Sequence, residues 1–495
     1  MNRLYLIIVV FAMAIVSGGA WGQTRNVVLG SMESDSIEAA NLGNRKFHSA
    51  IRSYRAGADT SSIYGLSCRR GASLFALQPL AYLSAGYQQK QDNKYYEAML
   101  GLSSTYSCGE KFTIGASLLG GYINPLMSVS HLADSIGRYP QYDGFHKDGK
   151  RYLVRYLEFY ANYKPSQSIV LQVGKGKKFI GDGFRSVILS ASNSGMYYFD
   201  TDVDLGSFKY VFSINTAQNW DNNCNSYRQM YMVYHVFSYN PARWLTLGGC
   251  ETVMMIRRDS LDNTKFMDIH YLNPMLFFRP VEYSLGSPDN ALMGVFGKLR
   301  FLRNHEIYGQ FMLDDFNFRE IKENTGTWNN KYAIQMGVKG FVGRLSYLAE
   351  YNYIRPYIYS HDKSVNSYSM FGQPLANPHG ANLKEMVLNI KYRTDHLGLS
   401  LLVDHIEVGR DFDKYSMGNN VLRPYTLHKN RFGNYVGQGD NQKNLNIQLC
   451  AEYSPRQLRN FSIVARAGKQ QLYKIDNGFF IIGIETRNLF RDHSL

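Results

Sequence analysis

Cysteine and proline are scarce in this chain of 495 residues, which contains 5 Cys and 13 Pro. The cysteines form an odd set with no C-x-x-C or zinc-type spacing: Cys68, Cys108, Cys224, Cys250 and Cys450. Neither a disulfide framework nor a metal site is predicted from such a set. One pair of cysteines can still bridge in an oxidising compartment, and Cys450 is expected to be a small thiol on the polar face of its strand.

Long apolar runs are absent beyond the N-terminus, so no segment after residue 22 reaches the 18 or more apolar residues of a membrane-spanning helix. Residues 1–22 combine Arg3, the apolar stretch Leu4–Val16 and the small-residue sequence Ala20-Trp21-Gly22. This pattern predicts a secretory signal that is cleaved near Gly22. An exported chain without such helices can cross a membrane only as a closed β-barrel.

Catalytic motifs are also absent: the sequence has no G-x-S-x-G and no H-E-x-x-H. The nearest pair of catalytic residue types is Asp404 and His405, and neighbours on a strand point to opposite faces. The sequence therefore predicts a protein that is not an enzyme and has no cofactor.

Aromatic residues and glycine are abundant, with 38 Tyr, 28 Phe and 44 Gly. Near the C-terminus, the segment Gly478–Phe490 places Phe480, Ile482 and Ile484 on one face and Gly483, Glu485 and Arg487 on the other. Such alternation is what a strand needs when one face meets lipid and the other meets water. The mean hydropathy of −0.30 is compatible with this, because a barrel hides its apolar surface in every second residue. A large secreted β-sandwich or propeller is the alternative.

The same alternation marks about eighteen strands, an even number typical of bacterial barrels, and its charged inner faces predict a polar interior. The predicted strands are 73–89, 93–106, 110–123, 151–164, 167–177, 194–202, 206–217, 226–238, 243–257, 290–302, 305–317, 331–342, 343–355, 384–394, 397–409, 443–454, 458–469 and 478–490. Short links alternate with long ones, and the long ones are 124–150, 178–193, 258–289, 356–383 and 410–442. The fold class is therefore all-β, a transmembrane antiparallel barrel with its long loops outside.

The predicted chain organisation has four parts. A signal peptide covers 1–22, an N-terminal periplasmic or plug segment covers 23–72, the barrel covers 73–490, and a tail covers 491–495. Within the second part, Ser36–Ala40 and Lys46–Tyr54 are expected to form short amphipathic helices.

Two of the long links have the composition of loops that fold into the pore. Residues 174–186 run into the apolar stretch Val187-Ile188-Leu189, and residues 271–290 have an apolar core flanked by charges. We expect Arg185 and Arg279 to pair with carboxylates of the lumen, and the candidate partners are Asp182, Glu282 and Asp289. Direct contact of the two arginines with a ligand is the alternative.

A basic and aromatic loop is the candidate for ligand binding. The formal net charge of +14 suits acidic glycans or lipid phosphates, although many of these cations are simply solvated. Loop 410–442 interleaves cations with the rings of Tyr415, Tyr425, Phe432 and Tyr435. Cations can bind sugar carboxylates and flat rings can bind pyranose faces. The candidate ligand-binding residues are Arg410, Lys414, Tyr425, His428, Lys429, Arg431 and Tyr435; lipid phosphates or plain solvation are the alternatives.

Three stretches carry a family resemblance: F-H-S-A-I-R-S-Y at 47–54, G-D-G-F-R-S-V-I-L-S at 181–190, and Y-L-N-P to A-L-M-G at 271–294. They resemble the Wzi-type capsule-assembly family of outer-membrane proteins, in particular its Bacteroidota branch with the gliding-motility protein RemB. The resemblance spans nearly the whole mature chain. It implies an eighteen-stranded barrel, a partly helical N-terminal segment on the periplasmic side, and outer loops that hold capsular polysaccharide.

We therefore expect a barrel of a Gram-negative outer membrane that binds or organises surface polysaccharide. Its expected partners are surface polysaccharide or lipopolysaccharide, outer-membrane lipids, and periplasmic or outer-membrane proteins, with no nucleic acid. Two rival functions stay open. One is a subunit of a gliding, type IX secretion or barrel-assembly machine, and the other is an occluded diffusion porin.

Overall fold

The fold is described from a computed structural model that covers residues 24–26, 37–52, 55–57, 66–89, 94–109, 111–221, 226–256, 271, 289–412, 414–455 and 461–486. No helix within these ranges has both the length and the apolar character required to cross a membrane. The signal peptide, the tail, Cys224, Arg279, Glu282 and Arg487, all named by the sequence predictions, lie outside the described residues.

Eighteen antiparallel strands form one closed barrel, as the alternation predicted. In chain order they are β1 Ser73–Gln88, β2 Tyr95–Cys108, β3 Phe112–Asn124, β4 Arg151–Tyr163, β5 Ile169–Gly176, β6 Met196–Asp204, β7 Phe208–Asp221, β8 Ser226–Ala242, β9 Leu245–Ile256, β10 Asn290–Phe301, β11 His305–Asp315, β12 Lys331–Val342, β13 Leu345–Ile354, β14 Leu383–Arg393, β15 Leu397–Arg410, β16 Asp440–Tyr453, β17 Phe461–Leu472 and β18 Ile475–Thr486. The barrel closes where β18 pairs with β1, from Phe479 opposite Gln88 to Glu485 opposite Tyr82.

Shorter elements accompany the barrel. Leu66–Arg70 extends the sheet beside β1, and Gly144–Asp148 pairs with the first residues of β4. Thr24–Asn26 pairs with Arg55–Gly57, and Ser369–Met370 pairs with Gln373–Pro374. Among the described residues, the α-helices of five or more residues are α1, Met127–Ile136, and α2, Phe318–Lys322.

The two ends of the barrel differ in their connections. One end, here called the turn end, has only short links, for example 109–111, 243–244, 343–344 and 394–396. The other, the loop end, carries 125–150, 177–195, 257–289, 316–330, 355–382 and 411–439. This sorting agrees with the pattern of short and long links in the sequence.

The last hairpin shows where the predicted boundaries were wrong. Strand β17 begins three residues later than predicted and strand β18 begins three residues earlier, because their link is only Tyr473–Lys474. Both residues have positive φ, 54° and 63°, as the favoured two-residue hairpin turns require. Neither residue is Gly or Asn, so the sequence carries no ordinary signal for this turn.

The alternation in β18 has the predicted orientation. Phe480, Ile482 and Ile484 are exposed on the outer face of the barrel. Glu485 lies on the inner face, where both of its carboxylate oxygens accept hydrogen bonds from Arg466 of β17. Lipid-compatible side chains therefore point outward and paired charges point inward.

The interior is filled rather than open. Residues 37–52 lie inside the turn end, and segments of the loops 177–195 and 355–382 are buried further along. A large apolar core joins Val187, Ile188 and Leu189 to wall residues such as Met232 and Met254. Around Val187, Ile188 and Leu189 the interior is therefore apolar and not polar as expected, because the infolded loop packs these side chains against apolar wall residues. Buried ion pairs of the lumen, such as that of Arg185 with Glu385, agree with the expected polar interior.

The N-terminal segment has less helix than expected. Residues 37–40 form a helical turn, but residues 46–50 form turns, so the second predicted helix was wrong. Asn41 N donates to the carbonyl of Ile37, and Phe47 N donates to that of Asn44. The segment is compact because it packs against the lumen wall.

The described residues of the loop 257–289 lie outside the pore, although residues 271–290 were predicted to fold into it. Tyr271 is fully buried with Val233, Val253, Met255 and Ala291. These wall residues alternate with the core residues Met232, Met254 and Leu292, so they lie on the outer face of the barrel. The loop had been expected to fold into the pore, but Tyr271 packs on the outer face of the barrel instead.

Candidate functional site

Arg185 is the centre of a buried ion network in the lumen. Its Nε lies 2.9 Å from Glu385 Oε1 and its Nη2 lies 3.2 Å from Asp404 Oδ2, and all three side chains are at most 2% exposed. Its Nη2 is also 3.3 Å from His379 Nε2. The expected pairing of Arg185 with carboxylates holds in kind, and the partners seen here, Glu385 and Asp404, come from β14 and β15, far away in sequence. Of the expected partners, Asp182 and Asp289 lie in other contacts, and Glu282 is outside the described residues.

A second carboxylate holds the backbone of the same loop. Glu350 of β13 accepts hydrogen bonds from the N–H groups of Phe184 and Arg185, at 2.9 and 3.1 Å. A Cβ on Gly183 would collide with the Glu350 carboxylate, so this close approach requires glycine. Glycine in the segment 181–190 thus allows the loop to pack closely against the barrel wall.

Asp182 lies in a separate network nearer the turn end. It accepts hydrogen bonds from Ser49 Oγ at 2.6 Å and Lys298 Nζ at 3.2 Å, and Lys339 Nζ is 3.4 Å away. Burial opposes ionisation of Asp182, but Lys298 and Lys339 outweigh it and hold the pKa of this carboxyl well below its usual range. Asp182 is therefore a charged anchor between the loop 177–195 and the N-terminal segment.

The N-terminal segment is fixed to the wall and to the loop 177–195. His48 Nε2 donates to the carbonyl of Gly206 at 3.0 Å, so Nδ1 is the acceptor for Ser238 Oγ at 2.9 Å. Burial lowers the pKa of His48. Ile51 forms a β-bridge with Ile180, and Arg52 donates to the carbonyls of Gly181 and Gly183.

Hydrogen bonds continue from this plug to the loop end. Ser190 N donates to Leu375 O at 2.7 Å, and Tyr359 Oη donates to Val187 O at 2.7 Å. Tyr357 N donates to Gly418 O at 3.0 Å. The loops 177–195, 355–382 and 411–439 therefore form one continuous packed body.

Two buried clusters offer groups of possible metal ligands: His379, Glu385 and Asp404, and Glu38, Asp182 and Glu306. Arg185 occupies the first group, and Lys298 and Lys339 contact the second. Burial and the nearby Arg185 hold the pKa of His379 well below its usual range. Cations of the protein itself therefore lie among the carboxylates of both clusters.

Asp289 is placed differently from the expectation of a lumen residue. Its carboxylate accepts a hydrogen bond from Tyr271 Oη at 2.8 Å, beside the cluster on the outer face of the barrel. Asp289 therefore belongs to the outer wall at the loop end, whereas Asp182 and Arg185 lie in the lumen.

Loop 411–439 is rigid at its base. Asp411 accepts backbone hydrogen bonds from Met417, Asn419 and Asn420, although burial raises its pKa. Asn382 Nδ2 lies within hydrogen-bond distance of the carbonyls of Gly409, Met417 and Gln438. Side-chain amides and a carboxylate thus replace the regular backbone hydrogen bonds that a loop lacks.

An aromatic stack ties this loop to the loop 316–330. The Trp328 ring centroid is 5.0 Å from Tyr425 and 4.8 Å from His428, both stacked. Lys331 Nζ lies 4.5 Å from the Tyr425 ring centroid. Tyr425 and His428, two of the predicted ligand residues, are therefore half-buried packing residues.

Three exposed cations of the loop each lie beside an exposed ring. Lys414 is 5.3 Å from the Tyr415 centroid, Lys429 is 5.5 Å from Phe412, and Arg431 is 5.2 Å from Phe432. Within the part of the chain that the structure describes, none of these three cations forms an ion pair. The surface therefore offers free positive charge next to flat apolar rings, and it is called here the cation–ring surface.

The remaining predicted residues differ in accessibility. Tyr435 is 64% exposed at the edge of the cation–ring surface. Arg410 donates to Asn419 Oδ1 at 3.0 Å and lies 4.7 Å from the Tyr473 ring, so it is largely engaged within the protein. The sequence analysis missed Phe412 and Trp328. Phe412 lay within the basic aromatic stretch and could have been included, whereas no sequence signal joins Trp328 to this loop.

No protein-family model and no curated protein sequence matches this chain. Among solved structures, the fold resembles Wzi of Escherichia coli, described as a carbohydrate-binding β-barrel involved in group 1 capsule assembly. The TM-score is 0.54 with 14% identity, over 84% of this chain and 85% of that one. At this identity the likeness establishes the fold alone.

Two further solved structures also match at lower similarity. They are OccAB4 of Acinetobacter baumannii, with a TM-score of 0.46, 11% identity and coverage of 84% of this chain and 98% of that one, and OccK8 of Pseudomonas aeruginosa. The second has a TM-score of 0.43 and 10% identity, over 82% of this chain and 97% of that one. TM-scores below 0.5 add nothing to the assignment of fold.

Proposed function

We propose that this protein is a non-enzymatic outer-membrane barrel that binds or organises acidic cell-surface polysaccharide at its loop end. The observation that carries the proposal is the cation–ring surface, with Lys414, Lys429 and Arg431 exposed and each beside an exposed ring. Sugar carboxylates suit the cations and pyranose faces suit the rings. The description of Wzi, which has a similar fold, as carbohydrate-binding supports the same function.

The filled lumen argues against a diffusion porin. Residues 37–52 and the loop 177–195 occupy the interior, held by Arg185, Asp182 and their partners. A solute would have to displace buried ion pairs and an apolar core. Uptake of small molecules is therefore a poorer account of this barrel than binding at its surface.

A protein partner is the second candidate, and one observation favours it. Phe316, Phe318 and Ile321, in and beside α2, are exposed at the loop end, with Phe318 at 69%. An exposed group of apolar side chains suits a protein contact. A barrel that works as a subunit of a surface machine would use such a contact.

The test compares cell-bound acidic polysaccharide in two double variants. Lys429→Ala with Arg431→Ala removes two cations of the cation–ring surface, and we expect clear release of uronic acid polymer into the medium. Arg69→Ala with Arg70→Ala removes the same charge from exposed residues at the turn end and serves as the control. A third variant, Phe318→Ser, is tested for loss of a co-purifying protein. If that protein is lost and the Lys429→Ala, Arg431→Ala variant retains its polysaccharide, the role as a subunit of a surface machine is favoured instead.

A further inference from the structure

Cations recur in the hairpin links of the turn end. Lys111, Arg243, Arg303 and Arg344 are exposed in four of these links, and Lys164 and Arg393 are half-buried in or beside two more. Among the described residues of these links and of the strand ends beside them, the exposed carboxylates are Asp204 and Asp395. The turn end is therefore strongly positive.

The charge of the four exposed cations is not neutralised inside the protein. Among the described residues, Lys111, Arg243, Arg303 and Arg344 take part in no ion pair. The buried cations of the neighbouring lumen behave differently, since Lys298 lies 3.2 Å from Asp182. Four unneutralised cations on separate hairpins leave charge available for an external anion.

Five of the six cationic hairpins also carry an exposed apolar or aromatic residue beside the cation. Trp244 follows Arg243, Leu302 precedes Arg303 and Leu345 follows Arg344, and all three are exposed. Tyr163 beside Lys164 and Tyr392 beside Arg393 are exposed as well. Aromatic rings with adjacent cations mark the level where hydrocarbon gives way to headgroups.

Three of the four exposed cations lie on consecutive hairpins, which join β8 to β9, β10 to β11 and β12 to β13, and Lys111 lies between β2 and β3. With Lys164 between β4 and β5 and Arg393 at the end of β14, cations occupy or border six of the eight links of the turn end. A folded partner or a single polymer chain would favour one cluster, whereas a lipid leaflet meets the whole circumference.

We propose that this ring of hairpin cations binds the phosphate groups of anionic phospholipids in the leaflet around the turn end. The proposal rests on the membrane placement within the proposed function but not on glycan binding. The ring would fix the depth of the barrel in the bilayer and collect anionic lipid around it.

The test uses the full chain purified in detergent and mixed with micelles of phosphatidylglycerol and phosphatidylcholine, with retained lipid counted by native mass spectrometry. The wild type is expected to retain phosphatidylglycerol preferentially. Each cation near a lipid surface contributes about fivefold, so Arg243→Gln with Arg303→Gln and Arg344→Gln should lower this preference on the order of a hundredfold. The control is Lys322→Gln with Lys363→Gln and Lys474→Gln, which removes the same charge at the loop end and should keep the preference.

Three results would overturn the proposal: an unchanged preference in the turn-end variant, an equal loss in the control, or displacement of phosphatidylglycerol by soluble polygalacturonate. If the triple variant does not reach the heat-resistant folded form, the preference for phosphatidylglycerol is measured instead for Arg303→Gln alone and for the wild type at rising salt. An unchanged preference in both measurements would overturn the proposal. Loss of glycan binding at the loop end leaves the lipid result unchanged, so the two proposals fail separately.

Discussion

Arg185 illustrates how one residue holds an entire loop. Its guanidinium lies between Glu385 and Asp404 in a site from which water is largely excluded, and its own N–H binds Glu350. A buried charge that loses its partner costs far more free energy than a surface ion pair gains. The seating of the loop 177–195 therefore depends on this side chain.

Replacement of Arg185 by Met leaves two buried carboxylates without their cation. We expect a destabilisation of about 3–5 kcal/mol, because removal of one partner of a buried pair has that cost. The measurement is the temperature at which the folded band disappears on gels. Arg319→Met, at an exposed arginine of α2, is the matched control and should change little. An equal effect of both substitutions would contradict the role assigned to Arg185.

Two buried histidines predict how stability varies with pH. Burial lowers the pKa of His48 and of His379, so the unfolded chain binds protons first as the pH falls below about 6.5. Stability should therefore decrease from pH 7.5 to pH 5.5, since the unfolded state binds more protons in that range. The pKa of Asp182 is lowered, so its contribution is present above its unfolded pKa and is lost only in stronger acid.

The check is the thermal midpoint at the two pH values for the wild type and for His48→Gln with His379→Gln. The double variant should show a smaller decrease. If its decrease equals that of the wild type, other groups govern the pH response.

At the scale of elements, the strands were readable from sequence because their two faces meet different media. The pattern in β18, with Ile482 and Ile484 outward and Glu485 inward, is a local consequence of that difference. Strand ends were less readable where the turn lacks glycine, as at Tyr473–Lys474. The path of the loop at Tyr271 could not be read either, because an apolar loop satisfies the same composition inside or outside the wall.

The loop 177–195 supplies a prediction at this scale. Deletion of 181–190 removes Arg185, Asp182 and the apolar stretch from the lumen, so conductance in planar bilayers should rise above that of the intact barrel. Deletion of 319–323, in and just after α2 at the loop end, is the control and should not raise it. Large, steady currents from the intact protein would contradict the occlusion and favour the porin.

For the whole molecule, the sequence predicted the closed barrel of eighteen strands but not what fills it. The number of strands follows from local alternation, whereas Arg185 meets Glu385 and Asp404 only after the barrel has closed. The candidate site likewise contains residues whose exposure could be predicted from the local sequence and residues whose contacts could not. Lys429 and Arg431 are exposed as their local sequence indicates, but Tyr425 and His428 are taken up by Trp328 from another loop.

The exposed cations are arranged differently at the two ends of the barrel. Lys414, Lys429 and Arg431 lie on one long loop at the loop end, whereas the cations of the turn end lie on separate short hairpins beside exposed residues of the barrel wall. The two proposals therefore concern different ligands, an acidic glycan at the loop end and anionic lipid at the turn end.

The most direct test of the central claim is calorimetric titration of the purified barrel with an oligosaccharide that contains uronic acid, beside the same oligosaccharide with its carboxyl groups reduced. We expect the acidic form to bind and the reduced form to bind at least about tenfold more weakly. Binding should weaken as salt rises, because exposed charges are screened over about 10 Å at 0.1 M. Lys429→Ala with Arg431→Ala should lower the affinity for the acidic form. Equal binding of the two oligosaccharides, or no binding of either, would contradict the assignment of the cation–ring surface to acidic polysaccharide.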